Sequence, residues 1–143
     1  MTTPQHEIMQ KVRLGGPVPT GAPPGAEAIV GGVKDFRREQ PNGGLQRDDG
    51  AWFHFTLTLV PSGDELSVHA YDFEIVFPEG HAPSFVRFDL NEPDHPNEAR
   101  ALRSHVHPGN DDLLGPAPMM TPHESLELML EGFRQHRPGG GRE

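Results

Sequence analysis

Apolar and polar side chains alternate along several stretches of this chain. Alternation with a period of two is typical of a strand that buries one face and exposes the other. The clearest example is the run AWFHFTLTLV, in which two phenylalanines and two leucines alternate with polar or amphipathic residues. The stretches that carry this pattern, or an interrupted form of it, are 26–40, 51–60, 66–77, 85–90 and 101–107.

Helical spacing is found at the two ends of the chain. Near the C-terminus, Thr121 and Glu124 flank a proline and form a capping-box sequence. An amphipathic helix of roughly 122–135 is therefore predicted, with an apolar stripe formed by Leu126, Met129, Leu130 and Phe133. Residues 5–14 carry a weaker stripe, which indicates a short helix.

These elements predict an α+β fold. The turn sequence Pro-Ser-Gly-Asp at 61–64 joins two of the strands into an antiparallel hairpin. We expect an antiparallel meander of four or five strands, covered on one face by the C-terminal helix. Residues 26–137 form this single domain, 1–25 are expected to be a flexible arm rich in Pro and Gly, and 138–143 a disordered tail.

The composition limits the size of the core and the chemistry available. The chain has 143 residues, of which 17 are Gly and 16 are Pro, and only 34% are hydrophobic. There is no Cys, which excludes disulfides, thiolate metal sites and a cysteine nucleophile. No apolar run is long enough to span a membrane and the N-terminus lacks a signal core, so we expect a cytoplasmic protein without membrane contact.

The charge is strongly acidic. The net charge is −9, and residues 64–98 hold nine carboxylates against one arginine. An acidic surface disfavours tight binding to duplex DNA or RNA, because phosphate contacts dominate such binding. The acidic region predicts either a solubilising face or a surface for a basic protein partner.

One group of ionisable residues is expected to share a sheet face. If residues 85–90 and 101–107 both bury their aliphatic side chains, five other side chains project together from the opposite face. These are Arg87, Asp89, Arg103, His105 and His107.

This group suits cleavage of a phosphodiester without a metal or any other cofactor. His105 and His107 supply a base and an acid, and Asp89 orients one imidazole ring. Arg87 and Arg103 bind phosphate and stabilise the developing charge. The simpler alternative is that these are exposed polar residues of a solvent-facing sheet.

A metal site is a second interpretation of the same histidines. His105 and His107 are alternate residues of a strand, so both rings point the same way and can share a cation. The residues proposed to complete the ligand set are Asp111, Asp112, His95 and His69. The neighbouring arginines argue against this interpretation, because they repel a cation.

The segment Phe85–Leu130 resembles part of a known family. It contains FVRFDL, then RSHVHPG, then APMMTPHESLELML, and this order resembles the C-terminal half of small prokaryotic toxins of the TumE-like type. The resemblance implies a toxin–antitoxin or defence setting, a cognate antitoxin as partner and RNA as target. Carried over by position, it implicates Arg87, Asp89, His105 and His107.

Three functions follow from the sequence. The leading hypothesis is a small nuclease-like toxin, a metal-free ribonuclease acting through the histidine and arginine patch. The alternatives are a non-catalytic acidic module that binds a basic protein, and a metal-binding sheet protein that uses the His-x-His pair.

Overall fold

The protein is built around one antiparallel sheet. The structure, a computed structural model, describes residues 12–14, 22–32, 38, 44–93 and 95–134. Its strands are β1 (Val12–Leu14), β2 (Glu27–Gly31), β3 (Leu45–Gln46), β4 (Trp52–Ser62), β5 (Glu65–Val76), β6 (Phe85–Leu90), β7 (Ser104–Pro108) and β8 (Gly115–Pro116). A 3-10 helix, Glu98–Arg100, precedes β7, and helix α1 (Pro122–Glu131) follows β8.

The sheet is larger than the sequence pattern predicts. Within the described residues it has eight strands in the order β1-β2-β4-β5-β6-β7-β8, with β3 paired to β4. The α+β class, the antiparallel pairing and the C-terminal helix are confirmed, but the count of four or five strands is wrong. The three additional strands, β1, β3 and β8, are only two or three residues long. A run that short contains too few alternations to be recognised by its period.

The long hairpin β4–β5 forms the centre of the sheet. The two strands pair from Trp52 opposite Val76 to Ser62 opposite Glu65. A tight turn at Gly63 and Asp64 connects them, and Gly63 takes a positive φ of 64° that favours glycine. Thr58 pairs with Ala70 and Leu59 pairs with Val68, so His69 is left out of the register and forms a bulge in β5.

The core lies on one face of this sheet. Phe55 and Phe73 stack with their ring centroids 4.8 Å apart, and both are almost fully buried. Helix α1 covers the face through Met129 and Leu130, which belong to the same apolar cluster. One set of alternate strand residues is therefore buried in the core. The other set lies on the opposite face of the sheet, where a functional site can form.

Both ends of α1 are fixed by hydrogen bonds. The predicted capping box is present: Glu124 N donates to Thr121 Oγ1 at 3.1 Å, and Thr121 N donates to Glu124 Oε1 at 2.9 Å. The helix ends at Glu131, earlier than the predicted 135. The buried guanidinium of Arg47 donates to Met129 O and Gly132 O, and so satisfies carbonyls at the helix end.

Residues Val12–Leu14 of the N-terminal segment form a strand. Val12–Leu14 pair with β2, although the apolar spacing of 5–14 indicates a helix and 1–25 are expected to be an arm. Strand pairing satisfies backbone groups that an isolated helical turn leaves open. The rest of the predicted helix and the predicted tail, 138–143, lie outside the described residues. Among the described residues, no helix combines the length and apolar character needed to cross a membrane.

Candidate metal centre

Two rows of polar side chains cross the face of the sheet that is opposite the core. They are built by strand register, because directly paired residues on β4, β5, β6 and β7 lie side by side. One row is His54, Glu74, Arg87 and His107, and the next is Thr56, Asp72, Asp89 and His105. Four of the five residues of the predicted patch therefore do share one face.

Asp89 and the two histidines form the tightest cluster in these rows. His105 Nε2 and His107 Nε2 each lie 3.3 Å from Asp89 Oδ2. The two imidazole centroids are 4.9 Å apart, and one metal-binding atom from each of the three residues lies within 4.8 Å of the other two. Both histidines are buried, with 3% and 4% exposure, and the Asp89 side chain is 14% exposed. The cluster is thus withdrawn from bulk water.

The second nitrogen of each ring is held by the backbone. His105 Nδ1 lies 2.8 Å from Leu102 O, and His107 Nδ1 lies 3.2 Å from Leu113 O. A carbonyl oxygen can only accept a hydrogen bond, so each Nδ1 carries the hydrogen. In the neutral rings Nε2 then presents a lone pair to Asp89. Three electron-rich atoms converge, and a proton, a metal cation or the guanidinium of Arg87 can offset their repulsion.

A second carboxylate increases the negative charge at this point. Asp72 is paired directly with Asp89 across β5 and β6, an arrangement that is destabilising for like charges. Burial, and then the charge of Asp89, raises the pKa of Asp72 to about 7. Asp89 Oδ1 is buried and receives no hydrogen bond from any described residue. Asp72 and Asp89 Oδ1 therefore add negative charge and an acceptor atom beside the two histidines.

The two arginines of the predicted patch have different partners. Arg87 Nε donates to Asp89 Oδ2 at 3.1 Å, and Arg87 Nη1 donates to Asp111 Oδ1 at 2.8 Å. Arg103 donates instead to two backbone carbonyls, those of Asn91 and His69. The structure brings Arg87 into the cluster, whereas Arg103 stabilises the adjoining chain segments.

None of the four residues expected to complete a metal site belongs to the group formed by Asp89 and the two histidines. The Asp111 carboxylate is bound to arginines, and His95 Nδ1 accepts from Asn97 N at 3.1 Å. His69 lies at the bulge in β5, and Asp112 is exposed. Asp89 is instead the third residue of the group that could hold a metal ion. The sequence signal for Asp89 is its position two residues after Arg87, on the strand that precedes the His-x-His pair.

Arg38 was not identified as a site residue from the sequence. Its guanidinium bonds Glu74 and forms a bidentate pair with Asp111, with both distances 2.9 Å. These contacts raise the pKa of Arg38, and Arg38 in turn lowers the pKa of the Asp111 carboxyl. Asp111 lies two residues before Leu113, so the pair anchors the loop whose carbonyl orients His107.

A polar cleft of about 590 Å³ opens beside the cluster, over β4, β5 and β6. Asp89 and Arg87 form part of its wall, so a metal held by Asp89 would lie at its edge. The lining residues are His54, Thr56, Thr58, Ala70, Tyr71, Asp72, Glu74, Arg87, Asp89, Leu90, Asn91 and Glu92. The volume is in the range of small-molecule sites.

His54, at the wall of this cleft, predicts a specific loss of stability in acid. Burial, and then the positive charges of Arg38 and Arg87, lowers the His54 pKa from 6.5 to about 4. Between these values the unfolded chain binds a proton that the folded chain excludes, so stability falls as pH drops from 6.5 toward 4. Glu74 Oε1, 4.0 Å from His54 Nε2, partly opposes the effect.

We expect His54→Gln to reduce the stability difference between about pH 7 and about pH 5 by about 2 kcal/mol. Urea unfolding at the two pH values measures this difference, and His123→Gln, on an exposed histidine of α1, is the control. An unchanged pH dependence in His54→Gln would contradict the prediction.

The comparisons with known proteins assign no family to this chain. The resemblance of Phe85–Leu130 to TumE-like toxins rests on short motifs and stays a prediction. A scan against protein-family models finds no match, and searches of curated proteins and of solved structures find none.

Proposed function

We propose that this protein is a metal-binding sheet protein in which Asp89, His105 and His107 hold one divalent ion. The observation that carries the proposal is the convergence of both Nε2 atoms on one carboxylate oxygen, each at 3.3 Å. Both Nδ1 atoms are bonded to backbone carbonyls, which is the usual way that metal-binding histidines are oriented.

The distance from each Nε2 atom to Asp89 Oδ2 suits a first-row metal. Ligand atoms about 2.0–2.1 Å from a tetrahedral Zn²⁺ ion stand about 3.3 Å from one another. Two imidazoles and one carboxylate favour Zn²⁺ or Fe²⁺, whereas Mg²⁺ and Ca²⁺ prefer oxygen ligands alone. We name Zn²⁺ as the preferred ion. Three protein ligands leave a position for water, as in catalytic zinc sites.

The nearby arginines do not prevent cation binding. Arg87 and Arg38 contribute two positive charges near the site. The carboxylates of Glu74, Asp89 and Asp111 surround them, together with Asp72, which is about half ionised at neutral pH. The local charge is negative before a metal is added, so a divalent ion brings the site close to neutrality. This balance answers the objection that arginine repels a metal.

The chemistry that such a centre supports is hydrolysis. A Zn²⁺ ion held there would lower the pKa of its bound water to about 7 and so would supply hydroxide at neutral pH. The cleft lies next to Asp89, so a substrate held there would be close to this water. We therefore propose a metal-assisted hydrolase.

Metal retention tests the proposal. The full chain is freed of metal with a chelator, incubated with Zn²⁺ or with Mg²⁺ and passed through a desalting column. We expect about one Zn²⁺ per chain and no Mg²⁺ by elemental analysis, with a rise in thermal stability that excess chelator reverses. Retention of far less than one Zn²⁺ per chain would overturn the proposal.

The ribonuclease hypothesis stays a prediction with the same histidines in a different role. It requires His105 and His107 to act without a metal, so RNA cleavage must survive a chelator and be lost in His105→Ala. Its phosphate-binding arginines are otherwise engaged, Arg87 by carboxylates and Arg103 by backbone carbonyls. This favours the metal centre.

The acidic binding module also stays a prediction. Part of the acidic region does not face solvent, because Glu74 is 4% exposed and Asp89 lies in the cluster. The carboxylates available to a basic partner are therefore fewer than the nine counted in residues 64–98.

A further inference from the structure

We infer that the cleft beside the proposed metal centre selects a small substrate with a cationic group, such as a protonated amine, distant from the group that meets the metal. This inference rests on the proposed function and adds the class of substrate. It follows from the charges that line the cleft and from their partners.

The lining is rich in carboxylates and poor in available cations. Four of the lining residues are acidic, namely Asp72, Glu74, Asp89 and Glu92. Arg87 is the one arginine or lysine among the described lining residues, and its guanidinium is bonded to Asp89 and Asp111. An anionic substrate would therefore meet an acidic wall without a free positive group to bind it.

Two of the four carboxylates are available to a substrate. Glu74 is bonded to Arg38, and Asp89 is bonded to Arg87 and faces the histidines. Neither Asp72 nor Glu92 receives a hydrogen bond from an arginine of the described residues, and both line the cleft. A cationic group on the substrate would offset their charge and the repulsion between Asp72 and Asp89.

The remaining lining residues are neutral hydrogen-bonding groups. Thr56 and Thr58 supply hydroxyls from β4, and Asn91 supplies an amide from the end of β6. His54 is uncharged near neutral pH, because burial lowers its pKa to about 4. These groups suit a polar, uncharged middle section of a small molecule and provide no binding site for a phosphate.

Three hydroxamates that differ in charge test the inference on protein loaded with Co²⁺ in place of Zn²⁺. The probes are acetohydroxamate, which has no charged tail, β-alanine hydroxamate, with an ammonium group two methylenes from the hydroxamate, and succinate monohydroxamate, with a carboxylate at the same spacing. Each can coordinate the metal, and binding is followed by the visible absorption of Co²⁺. We expect β-alanine hydroxamate to bind about tenfold more tightly than acetohydroxamate, which corresponds to about 1.4 kcal/mol, and the anionic probe to bind most weakly.

Variants assign the preference to the two carboxylates. The double substitution Asp72→Asn with Glu92→Gln is expected to abolish the preference for the ammonium probe over the neutral one. Glu127→Gln, on the exposed face of α1, is the matched control and should leave the order unchanged. Equal affinities in the unsubstituted protein, or tighter binding of the anionic probe, would overturn the inference.

The two proposals fail in different ways. Binding of acetohydroxamate without any charge preference would keep the metal centre and reject the substrate class. Failure of the protein to take up Co²⁺ or Zn²⁺ would reject the metal centre, and the inference with it.

Discussion

Replacing His107 by alanine is expected to weaken Zn²⁺ binding by at least about 100-fold. Loss of a residue that merely orients a ligand typically costs 10–100-fold, so loss of a ligand itself should cost more. The remaining pair, Asp89 and His105, would leave the ion with two of the three proposed protein ligands. Metal analysis after desalting, with a competitive chelator titration for the affinity, measures the effect.

The controls separate loss of a ligand from loss of the fold. His107→Ala opens a small buried space, so circular dichroism must show the sheet before metal binding is interpreted. Asp89→Asn removes the carboxylate charge with little change in shape and should also lose the metal, whereas His123→Gln on α1 should retain it. Full Zn²⁺ binding by folded Asp89→Asn and His107→Ala would place the metal elsewhere.

Replacing Phe73 by alanine is expected to lower the free energy of unfolding by about 3–5 kcal/mol. Phe73 is 1% exposed on β5, stacked on Phe55 and in edge contact with Tyr71 at 5.5 Å. Its removal leaves a cavity at the centre of the long hairpin, where neighbouring strands cannot close in without breaking their pairing. Urea unfolding monitored by circular dichroism gives the difference.

The matched control is Leu66→Ala, on the same strand but 55% exposed, which should change stability by less than about 0.5 kcal/mol. Phe73 lies between Asp72 and Glu74 in sequence but on the opposite face of the sheet. The folded fraction of Phe73→Ala should therefore still retain Zn²⁺. A cost similar to that of Leu66→Ala would contradict the assignment of Phe73 to the core.

The main strands could be predicted because their pattern is local. The alternation in 51–60 and 66–77 indicates which residues of β4 and β5 are buried, and the turn sequence between them gives the hairpin. The capping box at Thr121 likewise marks the start of α1 before any tertiary contact is considered. Strands such as β3 and β8 could not be predicted, because pairing to a neighbour, rather than their own composition, makes them strands.

The candidate site could be predicted only in part. The phase of β6 and β7 places Asp89, His105 and His107 on one face, and that much follows from the sequence. Whether Arg103 joins them depends on the path of the chain before β7, where its guanidinium meets backbone carbonyls. Arg38 is brought to Glu74 and Asp111 from 36 and 73 residues away, and no local pattern contains that information.

The sequence by itself determined the strand faces, the cap of α1 and the excess of negative charge. The tertiary structure alone decided that the two imidazoles meet a single carboxylate oxygen and that Leu102 and Leu113 carbonyls hold their outer nitrogens. Side-chain periodicity is a property of one strand, whereas a ligand set depends on the register between strands and on loop carbonyls, which only the folded chain brings together.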